Sequence, residues 1–174
     1  MSQNIIKTDN FSADTLEFSK VRKNKRGGKQ VFISSSGKRF YLQLPELRAP
    51  FGLSKFEDEK SGNVSYSLDL SLDGYDEEGS VKNLHDLLKE IDGQILNHVH
   101  KNSKELLGKT YKKDVLEALY KPMVRVSDKE EYAPTLKLKV GHRDGNFIPE
   151  AYDNSRNKTE LSNIEKGTRC KTLV

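Results

Sequence analysis

The sequence predicts a mainly β, α+β domain: a small antiparallel barrel carrying one helical insert at about residues 80–120. Three observations predict it. Apolar and polar residues alternate in RFYLQL, NVSYSLDLSL and TLKLKV, which is the period of half-buried strands. The period lengthens to three or four residues between Val81 and Val99, which is one face of a helix. Glycine, proline and asparagine punctuate the runs. At 174 residues the chain is read as one domain, 1–174, with its own core.

The elements follow in order. TLEFSKVR reads as an opening strand with Leu16 and Phe18 inward, and Gly27-Gly28 as the reversal after it. KQVFIS places Val31 and Ile33 on the core side, with Gln30, Phe32 and Ser34 outward. SSSGKR is a turn about Gly37. RFYLQL then sends Phe40, Leu42 and Leu44 inward, and Arg39, Tyr41 and Gln43 outward. LRAPFGLSKFEDEKSG, broken by Pro50, Gly52 and Gly62, reads as a long loop. NVSYSLDLSLDG buries Val64, Tyr66, Leu68, Leu70 and Leu72.

Val81, Leu84, Leu88, Ile91, Ile95 and Val99 line one side of a helix that Ser80 is expected to cap and Gly108 to end. KKDVLEALY is a second, short helix stopped by Pro122. MVRVS, TLKLKV and KGTRCKTLV return to strand, with HRDGNF and YDNSRNKTE as turns between. Strands, a helical insert and further strands follow the plan of the oligonucleotide-binding (OB) fold, a barrel with a helix across one end.

Charge is unevenly placed. The net charge is +4, yet residues 1–45 hold nine Lys or Arg against three Asp or Glu. The basic character is therefore local, as a binding face for a polyanion requires. No signal peptide and no long apolar run is read, and the single Cys170 forms no internal disulfide, so the expectation is a protein of a reducing compartment, neither secreted nor membrane-bound.

Catalytic and cofactor signatures fail on their chemistry. SSSGKRF has Phe32 where a phosphate-binding loop needs its first glycine, and Arg39 where it needs a hydroxyl. His98 and His100 lie two apart on the expected helix and diverge by about 200°, so they do not share a metal ion. The acidic runs at Glu57 and Asp76 sit in expected loops. The reading is a non-enzyme without cofactor or metal.

Cations beside aromatic faces remain, the two ingredients of a single-strand binder. The candidate contacts are Arg22, Lys23, Lys25, Arg26 and Lys29 in the glycine-containing loop, Phe32, Lys38, Arg39 and Tyr41 on the following strands, and Arg125, Lys137 and Lys139 on the later ones. A curled sheet would gather the strand residues into one groove. Lysine-rich hairpins that merely solvate an edge are the bland alternative. A protein–protein adaptor using the Val81–Leu107 helix is the second functional reading.

KRFYLQLPELRAPFGLSKFED, YSLDLSL, LKEIDGQILNHVHKNSKELLGKTY, DVLEALYKPMVRVS and EYAPTLKLKV, taken in that order over roughly residues 38–152, resemble the single-stranded-DNA-binding proteins of nucleocytoplasmic large DNA viruses, the group with a member in African swine fever virus. The resemblance implies an OB-like core and non-enzymatic binding of single-stranded DNA, with RNA as a variant, in viral replication, repair or recombination. It implies action at replication sites in the host cytoplasm or nucleus, or in the virion, with self-association or viral replication proteins as further partners. In an adaptor role the setting would be a replication, transcription or virion complex. The family pattern continues past the KGTRCKTLV-like strand into an aromatic, glycine-rich segment, whereas this chain stops at Val174, which implies a barrel short of its last strands.

Overall fold

The computed structural model describes residues 4–129 and 131–174. Strand alternation produces a seven-stranded main sheet: β1 (Ile5–Lys7), β2 (Tyr41–Arg48), β3 (Leu53–Glu57), β4 (Val64–Ser71), β5 (Val124–Arg125), β6 (Thr135–Val140) and β7 (Arg169–Leu173). Strand β4 pairs antiparallel with β6 on one side and with β3 on the other, and β6 continues to β5. Strand β2 carries β7 along one edge, meets β4 only at Arg48–Ser71, and takes the three residues of β1 in parallel. The result is a curled half-barrel. No pairing joins β5 or β6 to β7 among the described residues, so the sheet does not close into a barrel there.

Leucines fix which face is inward. Leu42, Leu44, Leu47, Leu68, Leu70, Leu72 and Leu136 are buried in one cluster with Leu84, Leu87, Leu88 and Ile91 of helix α1 (Ser80–Lys101). Each such side chain contributes roughly 1.5–3 kcal/mol on burial, so α1 is held against this face by its expected apolar stripe. Helix α2 (Ser103–Leu107) follows after a break at Asn102, whose side-chain amide donates to the His98 carbonyl at 2.9 Å. The single helix expected to run from Ser80 to Gly108 is thus interrupted, and Gly108, in the left-handed region, ends α2. Helix α3 (Lys113–Leu119) is the short second helix.

Several expectations need correction. The loop expected over Leu47–Gly62 is partly strand: β2 runs through Pro45 to Arg48, and β3 occupies Leu53–Glu57. Opposite β7, the register passes from Lys171–Glu46 to Leu173–Gln43, leaving one extra residue in β2. Pro45 has no N–H to give the ladder, and the bulge lets Leu44 and Leu47 both turn inward despite odd spacing. Gly52 makes the bend between β2 and β3 at φ +65°, where an added Cβ would come within 2.5 Å of the Ile164 carbonyl oxygen.

Ser80 does not cap α1. Gly79 holds the N-cap position, and the Ser80 hydroxyl instead donates to Asp9 at 3.2 Å. Ile33, expected in the core, is 37% exposed, because its ribbon lies outside the leucine cluster. MVRVS contributes only the two residues of β5.

A buried carboxylate fastens the helical insert to the sheet. Asp92, mid-way along α1, accepts the Tyr120 hydroxyl at 2.6 Å and the Met123 backbone N–H at 3.0 Å. Burial, reinforced by the Asp92 carboxylate, pushes the Tyr120 phenol well above its ordinary pKa. Tyr120→Phe removes one donor from a buried charge and is expected to cost about 1.5–3 kcal/mol of stability, read from denaturant midpoints.

Candidate nucleic-acid interface

Register, more than sequence proximity, assembles the outward face of the sheet. Arg125 pairs with Thr135, Thr135 with Ser71, Ser71 with Arg48, and Arg48 with Arg169. Paired residues share a face. Their flanking neighbours Val124, Leu136, Leu70, Leu72, Leu47 and Ala49 are all buried, so this row points away from α1. Three arginines and two hydroxyls thus cross five strands in a line, which at about 4.8 Å per strand spans roughly 19 Å. Arg48 and Arg169 sit directly opposite one another, and like charges there disfavour the fold. Glu46 partly relieves this by accepting from Arg169 Nε at 3.0 Å.

Of the strand residues singled out in the sequence, Arg125 therefore lies on this outward face. Lys137 also faces outward, but its ammonium is paired with Asp69 at 3.1 Å. Lys139 is exposed opposite Ser67. Tyr41 faces outward as expected, beside half-exposed Ile5 and under the Arg39 guanidinium, which stands 5.0 Å from the ring centroid. Phe40 turns the other way and stacks on Phe11 at 4.9 Å.

Tyr41 and the β6 lysines do not form one compact groove. From the Arg48–Ser71–Thr135 crossing, Tyr41 lies seven residues along β2 in one direction and Lys139 four along β6 in the other. At about 3.3 Å per residue they are separated by up to about 36 Å along the strands. The arginine row lies between them.

The basic loop is a separate element. Leu16–Phe18 pairs with Ile33–Ser35 and Arg22–Lys23 with Lys29–Gln30, making one β-ribbon that is continued between the two pairs by Ser19 N–H donating to the Phe32 carbonyl at 2.9 Å. Its base rests on the C-terminal part of α1, where Phe18 stacks on His98 at 4.3 Å. Lys29 reaches the Glu105 carbonyl of α2. The side chains of Arg22, Lys23, Lys25, Arg26 and Lys29 are exposed, and Arg22 lies over the 52%-exposed ring of Phe32, 5.7 Å from its centroid. Lys38 is exposed where the ribbon's base turns back toward β2. None of these cations, nor Arg39, belongs to an ion pair among the described residues.

Arg48 and Arg169 escaped the sequence reading because only long-range register aligns them with Arg125. Phe56, 65% exposed and paired with Ser65, was also missed. The alternation of LSKFE was its one signal, hidden behind Pro50 and Gly52.

The other candidates fall elsewhere. His98 stacks on Phe18 while His100 is exposed, and the described residues contain no group of three or more His, Cys, Asp or Glu able to hold a metal ion. No helix among them is long and apolar enough to cross a membrane. No family model, curated protein or solved structure matches the chain.

Tyr41→Ala is expected to leave the melting temperature nearly unchanged, whereas Phe40→Ala should cost about 3 kcal/mol by opening the Phe11 contact. Equal losses in thermal denaturation would show that the two side chains are not divided between the faces.

Proposed function

We propose that the protein is a non-enzymatic, sequence-tolerant binder of single-stranded DNA with an OB-like working surface. The observation that carries this reading is the row of Arg125, Arg48 and Arg169 crossing the outward face, with Tyr41 further along β2. Guanidinium groups spaced across strands can track successive phosphates, while Thr135 and Ser71 between them can donate to phosphate oxygens. The Tyr41 ring offers a stacking face, worth about 1–3 kcal/mol per base. Neither contact reads base identity, hence sequence tolerance.

The resemblance to the large-DNA-virus proteins supports DNA as the ligand and replication, repair or recombination as the setting, at replication sites in the infected cell. The curled half-barrel is compatible with that family's expected core. RNA remains a variant of the same chemistry, since cations and ring faces accept either strand. An adaptor role is the second reading. Its support is on the shorter helices, where Leu107, Val115 and Leu119 are 49%, 40% and 68% exposed, and not on the α1 stripe, which is covered.

A labelled single-stranded oligonucleotide titrated at several salt concentrations tests the proposal. Each neutralised phosphate contributes a slope of about −0.7 in log K against log salt, so Arg48→Gln with Arg125→Gln should flatten the plot by about 1.4. Wild-type protein that shows no salt-dependent binding would exclude the reading.

A further inference from the structure

The basic ribbon has a shape and charge distribution that a single strand lying on the sheet does not require. From Phe18 to Pro45 the chain holds eight Lys or Arg and no acidic residue. Within the ribbon, Arg22 pairs with Gln30 on one face and Lys23 with Lys29 on the other, while Lys25 and Arg26 occupy the tip. Cations therefore surround the ribbon. The Lys29 ammonium turns to the Glu105 carbonyl, so Arg22 on one face, Lys23 on the other, and Lys25 and Arg26 at the tip are the cations left for a ligand bearing negative charge.

The tip is preorganised. Asn24 Oδ1 accepts the backbone N–H groups of Arg26 and Gly28, each at 2.9 Å, and Gly27 takes φ +80°. Gly27 leaves the backbone bare at the turn, so another surface can approach it closely there, while Gly28 makes room for the Asn24 side chain. The base is fixed by the Phe18–His98 stack and by Lys29 at the Glu105 carbonyl. From Ser19 to Asn24 the ribbon extends about 16 Å at roughly 3.3 Å per residue.

We propose that residues 22–30 form a second nucleic-acid site that enters the major groove of B-form duplex DNA, so that the protein seats at junctions between duplex and single strand. The major groove, about 12 Å wide and about 8.5 Å deep, admits a two-stranded β-ribbon, and its walls present phosphates on both sides of whatever enters. A ribbon charged on both faces matches two phosphate walls; a single strand on one face would leave the other face unneutralised. The deep, narrow major groove of duplex RNA excludes side chains, so the site selects duplex DNA. The junction preference rests on the single-strand reading of the sheet face; the duplex site does not.

The test compares anisotropy titrations with a single-stranded 30-mer, the matching DNA duplex, the matching RNA duplex and a tailed DNA duplex. Three proteins are used: wild type, Lys23→Gln/Lys25→Gln/Arg26→Gln, and Arg48→Gln/Arg125→Gln. The tailed duplex should bind wild type most tightly, and duplex RNA weakest. The ribbon variant should lose about tenfold or more in duplex and tailed-duplex affinity, with a salt slope flatter by about 2.7 on the duplex, and lose distinctly less on the single strand. The sheet variant should show the reverse bias.

Wild type that binds the single strand but not the duplex would overturn the inference and leave the proposed function standing. Duplex binding without single-strand binding would overturn the proposed function alone, together with the junction preference. Proportional losses on both ligands in the ribbon variant would also overturn the inference, by making the ribbon a general cation source. Matching circular dichroism and melting curves for the three proteins establish that folding is not what changed.

Discussion

The packing of α1 against the leucine face of the curled sheet is the contact on which the remaining geometry depends. Because Leu84, Leu88 and Ile91 cover Leu44, Leu70 and Leu72, the sheet has one dry face and one wet face, and period-two alternation then sorts every other strand residue. Arg48, Arg125, Arg169 and Tyr41 are outward as a consequence of what lies beside them in sequence. The same helix guides the N-terminal segment: Asp9 meets Ser80 and Asn83 at its start, and Phe18 meets His98 near its end. The ribbon is therefore delivered to the C-terminal end of α1, away from the arginine row on the sheet's opposite face.

Asp92 adds a second constraint. By accepting from Tyr120 and Met123 it fixes the chain as it leaves α3 and enters β5, and Arg125 follows two residues after Met123. One buried carboxylate on the dry side thus helps position an arginine on the wet side. Removing a donor from it would be felt at the arginine row as well as in stability, since β5 is only two residues long and has little pairing of its own to hold register.

What could be read from the sequence was whatever local periodicity encodes. The inward leucines of β4, the apolar stripe of α1, the opposed directions of Phe40 and Tyr41, and the turn at Gly37 all follow from spacing within a few residues. Two kinds of feature did not. Pro45 and Gly52 looked like interruptions, yet one sits in a bulged strand and the other makes the bend into the next, because tertiary pairing overrides local punctuation. The arginine row is also illegible locally, since Arg48, Arg125 and Arg169 are brought into line only through four strand pairings spanning more than a hundred residues. The opposite error was to gather Tyr41 with Lys137 and Lys139 into one groove; the register puts the crossing of β2 and β4 between them.

The two basic surfaces divide by geometry into a track across the curled sheet and a projecting arm, and the proposed function rests on the track. Amide chemical shifts followed by NMR while a thymine-only single strand is added test it most directly. The largest changes are expected at Arg48, Ser71, Arg125, Thr135 and Arg169, extending along β2 to Tyr41. Changes confined to α2, α3 and the two short antiparallel pairs, His142–Arg143 with Asn146–Phe147 and Ala151–Tyr152 with Lys158–Thr159, with the row undisturbed, would contradict it.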